Sequence, residues 1–517
     1  MPTPPDAGPI HRRQFIIDTD RHREAEGWMA ERLGNGLWLS HCPRLRVRRL
    51  PDGQGGTALL LGTPLLADPD QDDFQLSPAR AAQDLADAAY AWSGRWTLVT
   101  GDWLLADSTN LASIFYQPGP GGRTLVSTSL ALIHGLRPEL PVLKRRIGWY
   151  GMNWFPPPHS RIVGVRKLLP DQALRLSDGT VHRVSRWNPE RFAGKPVGAL
   201  AEMLLRSLGQ CFKSAASVQD RLALALTAGL DSRTLLAAAL EVGVRVDTMI
   251  QLFPLMPLAD KVLPPEIARH CGLRWDAVPR GAFNLSRQRR FDAHTFRNMG
   301  DADRSFYARG MYDWMGPGTA LVRGGGFEVG RERMEDRLRG LGWEEALADP
   351  DGLLESYGDF GSRPWLRTQM RDWLRWAVDG PRPYGLGNQF YRDQRLAGWL
   401  SAAEQSSDML EGCALQVVNC GYHHDLMLAA PLEDRRTGTV QRQAIALAGR
   451  GLAEFPVNPP METRMQRRLQ RWSLKGRRTA GELRNMAMGL LDGPAVGVTP
   501  VRTAATATSP PRAAEGR

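Results

Sequence analysis

Cysteine is scarce in this 517-residue chain: there are five, Cys42, Cys211, Cys271, Cys413 and Cys420, scattered and without a CxxC pair. An odd, dispersed set argues against a disulfide framework, and the absence of pairs argues against a zinc site. No window approaches 18 uninterrupted apolar residues, and the opening MPTPPDAGPIHRRQF has no apolar signal core. Neither a membrane span nor export is therefore expected, and the chain reads as cytoplasmic. Lysine is nearly missing too, with six among 66 basic residues, so arginine carries the formal charge of +11. Alongside abundant Ala, Gly and Pro, this reads as genomic base composition rather than a ligand. No basic block is interleaved with aromatics as single-strand readers require, so nucleic acid is not an expected partner. Hydrophobic residues at 42% and charged ones at 23% exclude both wholesale disorder and a membrane bundle.

What is present is organised in two textures, as the length leads one to expect. Residues 1–190 alternate short β-like runs (GLWLSHC, TALLLGTPLL, WTLVTGDWLL, SIFYQ, RTLVSTSLALI) with turn signals, and ARAAQDLADAAYAW at 79–92 has helical periodicity. A closing hairpin is expected around Asp178-Gly179, which makes this an α+β unit. From 195 to 490 the pattern becomes α/β. VGALAEMLLRSLGQCFKSA, RLALAL, SRTLLAAALEVG, VDTMIQLF and PPEIARHCG alternate helix with strand, and TALVRGGGFEVG supplies a further strand. Such alternation implies a parallel sheet with both faces covered. Tryptophan- and arginine-rich stretches at 365–378 and 389–417 read as a helical lobe, and 491–517 reads as a disordered tail.

The stretch LALALTAGLDSRTLLAAAL (222–240) passes from a buried strand through Thr-Ala-Gly-Leu-Asp-Ser into a helix. A small-residue turn of this kind presents N–H groups at a helix N-terminus, where the dipole favours an anion such as phosphate. Neither GxxxxGK[ST] nor GxGxxG fits the turn. The plain alternative is an α/β connection with Asp231 as helix N-cap. Further along, Arg323-Gly324-Gly325-Gly326-Phe327-Glu328 again places a carboxylate just past a strand end. Two carboxylates at the carboxyl edge of a parallel sheet suit a shared Mg²⁺ bridging phosphates.

These residues resemble the asparagine-synthetase superfamily, whose synthetase domain carries a pyrophosphate loop SGGxDS and a later GxGxD/E. TAGLDS matches at Gly229, Asp231 and Ser232 and departs at Thr227 and Ala228. GGGFE matches with Gly324, Gly326 and Glu328, and Asp260 stands where relatives have an Asp before the helix of the next unit. GRWTLVTGDWLLADSTNLASIFYQ with LVSTSLALI, and FPPPHSRIVGVRKLLPDQALRL, look like the N-terminal domain of that superfamily. FYRDQRLAGW is similar to a helix of its shorter bacterial members. The resemblance implies a degenerate Ntn-hydrolase-like (glutamine-amidotransferase-like) sandwich over 1–190. It also implies an ATP-pyrophosphatase (PP-loop) synthetase domain over 195–490. Glutamine-using relatives need a cysteine at the mature N-terminus, but position 2 is Pro2 and the first cysteine is Cys42, so glutamine hydrolysis is not expected. In this the chain resembles the β-lactam synthetases and lasso-peptide cyclases.

The resemblance implies an ATP-dependent, AMP-forming ligase or cyclase: a substrate carboxylate is adenylated, and an amine then displaces AMP. Gly229, Ser232 and Thr227 with Gly324 and Gly326 would hold the pyrophosphate end, Asp231 and Glu328 the Mg²⁺, and Leu224 and Leu226 would underlie adenine. Relatives place a lysine against the α-phosphate, for which Lys475 is the candidate by count, with Arg464, Arg467 or Arg468 as alternatives and an exposed helix lysine as the plain reading. Tyr391, Arg395 and Trp399 share a helix face, as substrate contacts or as cation–π packing. His423 and His424 lack a third ligand at helical spacing and read as solvated or core histidines. The partners implied are a carboxylate substrate and an amine, in one version a single precursor peptide with its leader-peptide protease. Two alternatives are amidation of a small acid or sugar acid with free ammonia, and an inactive nucleotide-binding scaffold.

Overall fold

The computed structural model describes residues 10–463 except 21, 24–26, 79–80, 119–123, 144–151, 254–255, 300–305, 358–363 and 381–384, and only scattered positions beyond 463. The first part of the chain builds two six-stranded antiparallel sheets. One runs in the order Arg166–Lys167, Phe115–Pro118, Thr124–Ser127, Phe15–Asp18, Trp38–His41 and Met29–Arg32; the other runs Val181–Arg183, Gln172–Arg175, Trp103–Ala106, Trp92–Thr100, Thr57–Leu66 and Val47–Pro51. The two-residue period of strands decides the layering. Phe15 and Ile17 pack with Leu59, Leu61, Val99 and Leu104 in one core. Ile16 turns the other way, onto the helix Leu130–Leu136, while Leu60 and Leu98 meet the helix Ala82–Ala88. The sheets therefore face each other with a helix on each outer side. The hairpin expected at Asp178-Gly179 is present, with Gly179 in the left-handed region at φ 71°. The run RTLVSTSLALI is strand only as far as Ser127: Ser129 accepts a hydrogen bond from Leu132 N at 3.2 Å and starts a helix, an N-cap the apolar pattern concealed.

The second part centres on a five-stranded parallel sheet. Its strands are β1 (Arg221–Ala225), β2 (Asp247–Gln251), β3 (Trp275–Val278), β4 (Thr319–Arg323) and β5 (Cys413–Gln416), in the order β3-β2-β1-β4-β5. Helices α1 (Val197–Ala216), α2 (Leu230–Glu241) and α3 (Leu258–His270) accompany it. β1 reads as an unbroken apolar run because both its faces are covered. Leu222 and Leu224 pack with Leu204, Leu208, Leu235 and Leu236, whereas Ala223 faces Met249, Met311 and Leu321. Two expectations are corrected. Residues 413–416 belong to the sheet as its edge strand rather than to the helical lobe; four residues with three buried are too short for periodicity to separate strand from helix. Helix α3 begins at Leu258, ahead of Pro264 and Pro265, which lie inside it, so Asp260 occupies its first turn rather than preceding the helix. Prolines cannot donate to carbonyls four residues back, which read from sequence as a helix start.

Beyond β4, helix Pro364–Val378 and the helical run from Leu386 to Ser407 form the lobe around Trp373, Phe390, Tyr357 and Trp154, and its segment Tyr391–Leu400 is wound in the wider π form. Buried polar pairs join the sandwich to the lobe and to the segment that follows β5. Arg95 forks onto Asp408 at 2.6 and 2.9 Å, and Asn419 donates to Asp107 Oδ1 at 2.7 Å. Asp408→Ala would leave the Arg95 guanidinium buried without its carboxylate, and unfolding free energy is expected to drop by about 3 kcal/mol in equilibrium urea denaturation. A drop below about 1 kcal/mol would mean the pair behaves as a surface ion pair. No helix among the described residues is long and apolar enough to cross a membrane. Of the segment 491–517, only Arg502–Thr503 is described, paired antiparallel with His22–Arg23; the rest of that expectation lies outside the described residues.

Candidate active site at the carboxyl edge of the parallel sheet

The sheet reverses its winding at β1. The connection through α2 leads to β2 on one side, and β4 comes in on the other. In open parallel sheets the loops leaving two such strands diverge and open a crevice at their carboxyl ends. β1 and β4 pair with Leu224 opposite Val322, so the chain leaves both strands at one level, and TAGLDS and GGGFE lie side by side. Their closeness is measurable: a Cβ on Gly324 would stand 3.0 Å from Asp231 Cβ and 3.5 Å from Ser232 N. Gly326, at φ 101°, takes a conformation that side chains rarely adopt and turns the chain into the short helix Phe327–Arg331. Gly324→Val should force the loops apart at a cost of about 1–3 kcal/mol in urea unfolding. A neutral result would mean that they yield freely.

Much of the first loop's hydrogen bonding is internal. Ser232 Oγ accepts from Thr227 N at 3.0 Å, Thr227 Oγ1 accepts from Gly229 N at 3.1 Å, and Asp260 Oδ1 accepts from Ala228 N at 2.8 Å. Thr227 and Ser232 therefore brace the turn, and Asp260 reaches it from the first turn of α3. The carbonyl of Ala228 accepts from Asn458 N at 3.1 Å and Arg233 Nη2 at 3.3 Å, and Arg233 also donates to Phe455 O and Pro456 O, tying the segment 455–458 beneath the loop. Gly229, not Asp231, is the N-cap of α2, and no side chain caps it. Asp231 is therefore not the cap that the plain alternative assigns to it, and the N-cap residue of this twelve-residue helix offers no side chain to its first amides, a setting that suits an anion.

Asp231 and Glu328 converge. Arg331 Nη2 donates to Asp231 Oδ2 at 2.6 Å and to Glu328 Oε1, and Gln441 Nε2 donates to Asp231 Oδ1 at 2.9 Å. The Arg331 side chain is 7% exposed, against 24% and 28% for the two carboxylates. Burial pushes the Asp231 carboxyl above its ordinary value, opposed first by the Arg331 charge. Two oxygens that reach one nitrogen can also reach one small cation. The donor set fits Mg²⁺, a hard ion that takes one or two carboxylates and completes its shell with phosphates and water. Among the described residues no group of three or more His, Cys, Asp or Glu side chains gathers around a common point, so a metal here would depend on a ligand bringing its own oxygens.

The other expected residues divide. Leu224 and Leu226 are fully enclosed in the core, so the adenine wall assigned to them has no open face; Ala225, between them, is the half-exposed residue at the strand's end. Lys475, Arg464 and Arg467 lie outside the described residues, and Arg468 is exposed. Arg395 stacks over Trp399 at 3.7 Å, the packing alternative, whereas Tyr391 lies close enough to Glu328 and Asp231 for their charges to help raise its hydroxyl, after the dominant effect of burial. His423 and His424 are wholly buried. Cys42 is buried among Ile16, Leu130 and Ile133. Arg331 and Gln441 belong to no motif of the sequence. Arg331 follows Glu328 by three residues, the one signal in sequence that the two share a helical face. Gln441 comes from a distant helix and offers no signal at all. A scan against protein-family models finds no match to the chain. A search of curated proteins finds no similar sequence.

Proposed function

We propose that this protein is an ATP-dependent, AMP-forming amide-bond ligase or cyclase of the asparagine-synthetase kind, with a PP-loop synthetase domain over 195–490 and an N-terminal Ntn-like sandwich that hydrolyses no glutamine. The observation that carries the reading is the meeting of TAGLDS and GGGFE at the β1–β4 crevice, with Asp231 and Glu328 brought onto a single cationic nitrogen. In this reading a substrate carboxylate attacks the α-phosphorus of ATP, pyrophosphate leaves, and an amine displaces AMP from the acyl group. The uncapped start of α2 receives the pyrophosphate. Asp231 and Glu328 would hold Mg²⁺, which supplies charge neutralisation at phosphate oxygens. Gln441 orients the Asp231 carboxylate, Asp260 and Arg233 keep the loop in shape, and Lys475 remains the proposed partner of the α-phosphate. A macrolactam-forming cyclase acting on one precursor peptide, in the cytoplasm beside a leader-peptide protease, is the specific form proposed; amidation of a small acid or sugar acid with free ammonia is its competitor.

A second reading, a nucleotide-binding scaffold without chemistry, draws on one observation: the N–H groups of Thr227, Ala228 and Gly229 already have partners within the protein. Incorporation of labelled pyrophosphate into ATP, in the presence of Mg²⁺ and candidate carboxylates or peptides, separates the two. The ligase reading expects exchange with at least one carboxylate, and ATP binding without exchange in any case would favour the scaffold.

A further inference from the structure

We propose that Arg331 is a built-in counter-ion: it sits between Asp231 and Glu328 at the position assigned to magnesium, and metal loading must displace it. The inference rests on the carboxylate assignment made under Proposed function, and it concerns what regulates occupancy of that pair. One guanidinium nitrogen donates to an oxygen of each carboxylate, and the side chain is almost fully covered. A magnesium ion demands short, octahedrally arranged oxygen ligands. A magnesium ion between these two oxygens would stand against the positive charge of the guanidinium nitrogen that both oxygens already accept from. The two cations therefore compete for one seat.

Among the described residues, Arg331 Nε is buried with no hydrogen-bond partner, and the hydrogen bonds of its guanidinium to side chains are those to the two carboxylates. Its chain neighbour Glu332 faces other partners: Oε1 accepts from Asn388 Nδ2 at 3.0 Å and from Arg435. The backbone also breaks at this point. The short helix Phe327–Arg331 ends at Arg331, and Glu332 enters the left-handed region at φ 55°, placing the arginine at a junction between two short helices. Once displaced, the guanidinium keeps its charge and planar fork beside the phosphate-binding turn, so nucleotide phosphates are its natural next partner. Metal without nucleotide should bind poorly, since it removes Arg331 from its carboxylates and supplies no anion in exchange.

The test uses the full-length protein without nucleotide, with Mn²⁺ as the probe, read by its paramagnetic resonance signal or by calorimetry. Arg331→Met should bind Mn²⁺ at least tenfold more tightly than the wild type, and Arg331→Gln, which keeps a polar side chain should Arg331→Met fold poorly, should do so in the same direction. Adding Asp231→Asn to either variant should erase the gain. Unchanged or weaker Mn²⁺ binding in both arginine variants, with binding still sensitive to Asp231→Asn, overturns the counter-ion proposal alone. Mn²⁺ binding that ignores Asp231→Asn in every background overturns the carboxylate assignment and the proposal with it.

Discussion

Asp231→Asn and Glu328→Gln are each expected to reduce carboxylate-dependent pyrophosphate exchange by about 10³-fold, the scale on which a positioned electrostatic contact to a transferring phosphoryl group is felt. Both substitutions preserve shape and remove charge. Asp231 has the stronger case, since α2 presents it in the first turn, Gln441 fixes one oxygen and the other accepts from Arg331, which also donates to Glu328. The fold should tolerate the change. Burial already biases the Asp231 carboxyl toward its neutral form, and the amide retains an oxygen for one of its two donors. A circular dichroism melt should therefore stay close to that of the wild type while exchange collapses. Exchange persisting at the wild-type rate in both variants would sink the two-carboxylate account, whatever the identity of the acyl substrate.

The second large effect is on stability. His11, His294, His423 and His424 are fully buried, and burial is the leading cause that lowers each from an ordinary 6.5 to about 3. Their contacts are those of neutral rings: His294 Nδ1 accepts from His11 N at 3.0 Å while Nε2 meets Gln405 O at 2.9 Å, and His423 Nε2 pairs with Ser207 Oγ at 2.7 Å. Above pH 6.5 folded and unfolded chains carry the same protons on these groups, so stability does not depend on them. Below it the unfolded chain binds protons that the folded chain refuses, and stability falls by about 1.4 kcal/mol per pH unit for each ring, or about 5.5 kcal/mol per unit for the four together once all are titrating. Asp107, Asp393, Glu404 and Asp408, whose carboxyls burial raises, take up protons in the fold before they do in the open chain and offset part of the loss at the acid end. Urea unfolding between pH 7 and pH 5 should show this slope, and His424→Phe should flatten it by one ring's share. An unaltered slope in that variant would mean that His424 is already protonated, or accessible to water, in the folded protein.

Legibility followed the range of the interactions. The sandwich strands Trp38–His41, Thr57–Leu66 and Trp92–Thr100 could be read because a short apolar run bounded by turn residues is a local feature, and the hairpin at Asp178-Gly179 because a turn glycine is a local demand. The strand Cys413–Gln416 could not, because its partner β4 lies far away in the chain and only that pairing makes it a strand. The same division runs through the site. Asp231 and Glu328 stood out because each follows an apolar run and small residues. Leu224 and Leu226 take their adenine role from the resemblance alone, and a motif match does not show which face of a strand is sealed; α1 and α2 seal theirs.

The sequence by itself determined that an α/β sheet follows an antiparallel α+β unit, that two glycine-bearing turns end in carboxylates, and that no cysteine stands at the second position. These properties are carried by neighbouring residues, through backbone freedom and side-chain period. The tertiary structure decided the rest. It set β1 beside β4 in a register that aligns the two turns, placed Arg331 between the two carboxylates, drew Gln441 and Asp260 in from separate helices, and buried four histidines. The physical reason is that a charge's partners and its access to water depend on which surfaces are covered, and coverage is a property of packed layers rather than of any local stretch of chain.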